Sequence, residues 1–433
     1  MSIIEQLLEK AKARTDAAEV FYTQSEATAA AWASDRLKIA EGKESSGVAL
    51  RVMVDGKMGF FATTKMDDPD MIVDTAIELA PLGTEFAGEF PDSYDPADVD
   101  AYDEPTAQAG PDKIVETGNK MVADAKSGKS DAMYDGKLDR TIIRAEIANS
   151  KGAHSEFRKT IFEGYLSGSV TREGDVLIIW DFDASTKMGD QPSDWVKWNV
   201  ETLNAASNVV SLPSGDYKCI LTPKALDMFG PLQMALNARN VLKDMSPFGD
   251  KVGEQVFDPR INLVDDGLNA LTPSAQPIDD EGVTMQKTTL IENGVLKGFI
   301  HDLHTSAKMG VASTGNGMRG GLSATPRAGF TTLTLMPGDK SLDELVASVD
   351  KGVLIDQIMG AHQASPFSGD FSVSVSLGFV IENGKIVGRF KDGMMAGNVF
   401  RMMKDKVIET GSEQRLAHMY APPVLFDGIT IAT

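Results

Sequence analysis

The sequence predicts an α+β fold. A mixed N-terminal domain of hairpin strands and helices is expected over residues 1–210, and a strand-rich antiparallel C-terminal domain over 211–433. Three observations predict it. Apolar residues recur at helical spacing in a few segments and alternate with polar ones in many others. Asp-Gly and Asn-Gly pairs stand between alternating runs, where a tight antiparallel turn needs two residues that tolerate positive φ. Finally, 433 residues exceed what one ordinary core serves, so two domains are expected.

The elements follow in order. Ile3, Leu7, Leu8 and Ala11 give the first segment one apolar helical face, and the acids and bases among them exclude a signal peptide. AAEVFYTQS, ATAAAWASDRLKIAEG and GVALRVMVDGKMGFFATT read as strands, the last with Asp55-Gly56 at a hairpin turn. PDMIVDTAIELAPLG reads as a helix, with Pro69 near its start and Gly83 at its end. From Glu85 to Glu104 the chain carries eight acids and no Lys or Arg. That composition predicts a long, mobile acidic loop, either a solvated crossover or a docking strip for a basic partner. PDKIVETGNKMVADAKS is helical; RTIIRAEIANSKG, SEFRKTIFEGYLSGSVTREG and DVLIIWDFDAS are strands; the helix SDWVKWNVETLNAAS closes the first domain.

In the second half, Asp227–Gly267 reads as one helix, a Gly-rich loop and a strand. LIENGVLKGFIHD and VIENGKIVGRFKD are offset by 90 residues. They read as two similar hairpins of one antiparallel sheet, turning at Asn293-Gly294 and Asn383-Gly384. FSVSVSLGFVIENG, GFTTLTLMPGD and VLFDGITIAT supply further strands.

Composition narrows the function. A net charge of -21 repels phosphate backbones and argues against direct nucleic-acid binding. The single cysteine, Cys219, cannot form an internal disulfide and reads as a small buried hydrophobe. No apolar run approaches the roughly 18 residues of a membrane span, and a reduced cytoplasmic protein is expected. Gly315, Gly317 and Gly320 spell G-x-G-x-x-G, but no strand precedes and no helix follows, so a substrate-facing loop fits better than a dinucleotide site. His301 and His304 are spaced to share a helix face, yet a catalytic zinc needs about three protein ligands. Asp279, Asp280 and Glu281 form either a charged turn or a group able to do acid–base work or hold a cation. No histidine is followed by glutamate, and neither a nucleophile elbow nor a P-loop is present.

SPFGDKVGEQV, INLVDDG, PIDDEGV, LIENGVLKGFIHDLHTSAKMG, STGNGMRGG and SPFSGDFSVSVSLGFVIENGKI occur in this order. Together they resemble the TldD/PmbA family, also called modulators of DNA gyrase, over nearly the whole chain. The resemblance implies two pairing branches. One is a zinc peptidase subunit with H-E-x-x-x-H on a helix and a cysteine ligand near the C-terminus. The other, PmbA/TldE-like, lacks these ligands and completes a heterodimeric protease. Here the zinc-helix position is LQMALNARNVL, with Gln233 and Asn237 but no ligand triplet, and GSEQRLAHMYAPPVLFDGITIAT holds only His418. The resemblance therefore implies a non-catalytic, zinc-less subunit of a cytoplasmic metalloprotease of peptide processing and degradation. It would have no catalytic residue, metal or cofactor of its own and be inactive alone. Its partners would be a TldD-like zinc peptidase subunit and a peptide or unfolded polypeptide, with a homodimer forming when it is isolated. Candidate peptide-facing residues lie on two loops: Asn316 and Arg319 on one, His362, Ser368 and Asp370 on the other. Two alternatives stay open. One is a homodimeric peptide-binding module without a protease partner. The other is a peptidase built on Asp279, Asp280 and Glu281 or on His301 and His304.

Overall fold

A computed structural model describes every residue of the chain except Glu173. Its first half is one antiparallel sheet of six strands: β1 (Ala17–Ala33), β2 (Arg36–Val54), β3 (Lys57–Thr63), β4 (Met133–Asn149), β5 (His154–Arg172) and β6 (Asp175–Ser185). Their order is β3-β2-β1-β4-β5-β6. β1 is a single strand where two were expected. No Gly or Pro interrupts it, and it is paired on both sides along most of its length. It turns into β2 at Ser34 and Asp35, both at positive φ. Asp55 and Gly56, at φ 52 and 73, make the expected turn into β3.

Even-numbered residues of β1 face the helices. Ala18 and Val20 pack under α1 (Ile3–Lys12) and α2 (Pro69–Leu79), with Leu7, Ile72 and Val73 buried between them. Ala30 and Trp32 pack farther along, beneath the helices that follow the short α3 (Glu104–Ala107). These are α4 (Pro111–Gly128) and α5 (Gln191–Ala205), which bring Ile114, Met121 and Trp195 into the same core. Alternation sends Glu19 and Phe21 to the opposite face, where Phe21 meets Ile278 of the second half.

The second half is strand-rich, as its alternating runs imply. Seven strands form its main sheet, in which Gly215–Leu221 lies between Lys351–Met359, its parallel neighbour, and the antiparallel Val424–Ala432. Cys219 is buried in the first of these. Asn293-Gly294 and Asn383-Gly384 both close antiparallel hairpins, with Asn at φ 50 and 49 and Gly at φ 76 and 73. The two hairpins lie in different sheets, however, which corrects the single-sheet expectation. An Asn-Gly pair dictates the turn and leaves open which neighbour the hairpin meets.

The helix expected after Asp227 is broken. A 3₁₀ turn (Ala225–Phe229) leads into α6 (Pro231–Ala235) and then α7 (Ala238–Val241). Leu236 and Asn237 leave helical geometry between them, and Asn237 caps α7 while bridging to Ile300. α8 (Leu303–Met309) follows, capped by Asp302 and ended by Gly310 at φ 67.

Two buried ionic clusters join the halves. In the first, Arg51 of β2 binds Glu19 of β1 through Nε and Nη2 at 3.0 and 2.9 Å, and Glu281 through Nη1 at 2.9 Å. The acidic loop is no loose crossover here. Phe86 and Phe90 lie under the Arg51 guanidinium at 5.5 and 5.1 Å, and the Ala97 amide donates to Pro277 O. In the second, Lys224 sits 3.3 Å from the Trp198 ring centroid and 2.9 Å from Asp356, while Asp181 binds Arg415 at 3.0 Å. Among the described residues, no helix is long and apolar enough to cross a membrane.

Candidate functional site

Whether this chain can hold a zinc ion, as the peptidase branch it resembles does, is decided at α6 and α7. Leu232, Ala235, Leu236 and Ala238 are buried in the main core of the second half. Asn237 accepts from the Arg239 amide at 2.9 Å and donates to Ala328 O at 2.8 Å, and Gln233 reaches His418 O at 3.4 Å. Both amide side chains are engaged with backbone, and a carboxamide is a poor zinc ligand beside histidine, cysteine or carboxylate. Among the described residues, no group of three or more His, Cys, Asp or Glu is placed to hold a metal ion. The residues at this position do not fit a zinc ion.

Directly beyond α7 a cleft of about 670 Å³ opens between the two halves. Arg239 and Lys243 line it from α7 and the turn after it, His304 and Lys308 from α8, Arg327 from the loop below, and Met58 and Phe86 from the first half. Lys243, Lys308 and Arg327 are exposed and Arg239 is half-buried. Among the described residues, no carboxylate lies within 4.0 Å of any of these four cations. The two acids of the lining are Glu85, on the exposed rim, and Asp302. Asp302 is engaged: its Oδ1 accepts from the Thr305 amide at 2.7 Å and its Oδ2 from the Ala328 amide at 2.9 Å. His304 accepts from the Ala87 amide at Nδ1, 3.2 Å away, so its neutral ring carries the proton on Nε2. Burial holds its pKa below the ordinary value; Lys308 and Arg239 add to this, and Asp302 opposes it.

The candidate peptide-facing residues read from sequence lie on two loops, which the structure places differently. Asn316 is buried, donating to Asp265 and to Gly329 O. The Arg319 side chain is only 3% exposed; it lies 3.4 Å from Glu19 and donates to Ala324 O at 3.0 Å. Burial first, then Arg51 close by, pushes the Arg319 guanidinium down to about 10, against the pull of Glu19. The loop holding this pair is thus turned inward, because Asp265 and Glu19 offer its polar groups buried partners. His362, Ser368 and Asp370 are exposed on the other loop. There Ser368 donates to Asp370 at 2.8 Å, as does Asn398, and these bonds hold the Asp370 carboxyl below its usual range.

The acidic turn is buried as well. Asp279 accepts from the amides of Glu281, Val283 and Gly317 at 2.9, 2.8 and 2.7 Å. Glu281 accepts from Arg51 and, at 2.8 Å, from the Leu303 amide. Burial, then repulsion from Glu281, holds Asp279 well above the ordinary carboxyl range. Asp279 and Glu281 are thus engaged inside the seam between the halves, while half-buried Asp280 accepts from the Arg319 amide at 2.7 Å. His301 does not share a helix face with His304, because it precedes the Asp302 cap and is itself buried. The four cleft cations escaped sequence reasoning. They come from four points on three segments, and only the i, i+4 spacing of Arg239 and Lys243 links any two.

Residues 214–433 match the PmbA/TldA metallopeptidase C-terminal domain, and residues 18–80 match PmbA/TldA metallopeptidase domain 1. An uncharacterised protein of Methanocaldococcus jannaschii is 30% identical over 390 residues, 89% of each chain. A metalloprotease of the same organism is 24% identical over 83% of this chain and 81% of its own. Among solved structures, TldE from Thermococcus kodakarensis superposes with a TM-score of 0.94 at 25% identity, covering 100% of both chains.

Proposed function

The chain belongs to the PmbA/TldD family of metallopeptidase-like proteins, and from that premise we propose that it is a zinc-less, non-catalytic subunit of a two-chain cytoplasmic protease. One observation carries the reading: buried Leu232, Ala235, Leu236 and Ala238 occupy the place where a zinc helix is expected. A helix filled with core residues supports the fold and leaves hydrolysis to a TldD-like partner that brings its own metal.

A free apolar surface favours a partner. Val176, Ile178 and Trp180 alternate along one face of β6, an edge strand, and are 63%, 55% and 38% exposed. Register continues the strip across Ser169 to Met133 on β4. Contiguous exposed apolar surface of this kind marks an interaction site. The peptide or unfolded substrate would meet the exposed loop of His362, Ser368 and Asp370, while Asn316 and Arg319 hold the inner loop in place.

The test is reconstitution. The purified chain should contain no stoichiometric zinc and cleave neither casein nor short peptides. Cleavage should appear when a zinc-bearing TldD-like chain is added, and the two should elute together. One zinc per chain with chelator-sensitive cleavage by the chain alone would overturn the reading.

A further inference from the structure

We propose that the cleft between α7, α8 and the strap beginning at Glu85 is a binding site for peptide carboxylates, borne on acidic side chains or at a free C-terminus. The charge distribution points to it. The chain is strongly acidic, yet Arg239, Lys243, Lys308 and Arg327 converge on one cavity without a carboxylate partner among the described residues. Like charges so placed repel one another, and an anionic ligand relieves that repulsion. His304 lies in the same field: burial first, then Lys308 and Arg239, disfavour its charged form, and Asp302 opposes them. The lining acids offset this charge only in part: Asp302, held by two backbone amides, and Glu85, on the rim, face four cations.

Shape and chemistry favour a peptide. Met58 and Phe86 give the cleft an apolar wall, which suits the aliphatic stems of glutamate or the side chains beside a terminal carboxylate. A volume of about 670 Å³ accommodates a few residues and no long polyanion. Beyond the site, the net charge of -21 repels nucleic acid. Only the word peptide rests on the protease-subunit reading; the anion site rests on the cleft itself.

Calorimetry on the isolated full-length chain, with no partner present, tests this apart from reconstitution. Acetylated, amidated hexaglutamate should bind and hexalysine should not. A neutral alanine peptide with a free C-terminus, set beside its amidated form, separates terminal from side-chain carboxylates, and binding by either carboxylate source supports the site. Raising salt from about 0.05 to about 0.5 M should weaken binding strongly, because the cations are solvent-facing. Each of Arg239→Gln, Lys308→Gln and Arg327→Gln should weaken it about two- to five-fold, and all three together roughly tenfold or more. Exposed Lys38→Gln serves as control, and melting curves check that each variant is folded. The salt series on the unaltered chain stands even if a variant is not. No binding by any carboxylate peptide, binding that ignores salt and the three substitutions, or tighter binding of an oligothymidylate overturns the proposal. Peptide binding without activation of a partner would leave the cleft assigned and the subunit reading wrong.

Discussion

Arg51 is about 1% exposed and stands between Glu19 and Glu281, both as deeply buried. Burial works against its charge, yet the two carboxylates hold the guanidinium above its ordinary pKa. Arg51→Met keeps the bulk but leaves buried Glu19 only Arg319, at 3.4 Å, and buried Glu281 only the Leu303 amide, so it should cost about 3–5 kcal/mol. Urea denaturation should show this as a lower midpoint at unchanged slope. His304 permits a second prediction. Its folded pKa lies below the free value, so the stability it contributes is present above about pH 6.5. That stability is lost as pH falls through the depressed folded value. Burial, Lys308 and Arg239 depress it while Asp302 opposes, and Glu85 faces the same cleft. An acidic peptide bound there should raise the His304 pKa, and its binding should tighten as pH falls through the range in which the ring takes up its proton. Proton NMR of the ring, with and without hexaglutamate, measures both. At this scale the sequence was half legible. The cluster Asp279, Asp280 and Glu281 is visible as acids in a row, but Arg51, which binds one of them, lies 230 positions away.

Among the elements, the tight turns were the most legible, because their requirement is local. Gly56 and Gly294 share nearly the same backbone, φ 73 and 76, but not the same surroundings. A Cβ at Gly56 meets nothing within 4 Å, whereas one at Gly294 comes within 2.2 Å of Phe257 O. Gly56→Ala should therefore cost only the left-handed strain, about 1–2 kcal/mol. Gly294→Ala should cost that plus roughly 1–3 kcal/mol of overpacking. Thermal melts of the pair separate the two contributions; equal losses would show that the backbone at Phe257 yields freely. The segment from Pro231 to Val241 was misjudged for the opposite reason. Its apolar spacing suits one helix, but Asn237 pairs with Ile300, a distant neighbour that propensity does not reveal.

For the whole molecule, alternation and turn chemistry made the fold class readable, while the assignment of hairpins to sheets and the packing of the acidic strap depended on contacts between halves. Composition showed the strap's eight acids; the structure shows that Phe86 and Phe90 decide where it lies. The strip of Val176 and Ile178 predicts that the isolated chain self-associates at micromolar concentration. Val176→Lys with Ile178→Lys should yield monomers by light scattering while leaving the melting temperature nearly unchanged, because both side chains are exposed. Persistent oligomers in the double variant would place the contact elsewhere. β1 sets the order in which this molecule can assemble. β1–β2–β3 and β4–β5–β6 are each neighbours in sequence and can zip as meanders. Joining β1 to β4 pairs residues more than a hundred positions apart and must close the loop that carries α2, the strap and α4. Closure costs entropy before any contact repays it, so this join sets the pace of refolding. Until it is made, Glu19 and Arg51 have no completed surface on which the second half can dock. The central place of β1 therefore governs how long the chain stays open as much as how firmly it holds once closed.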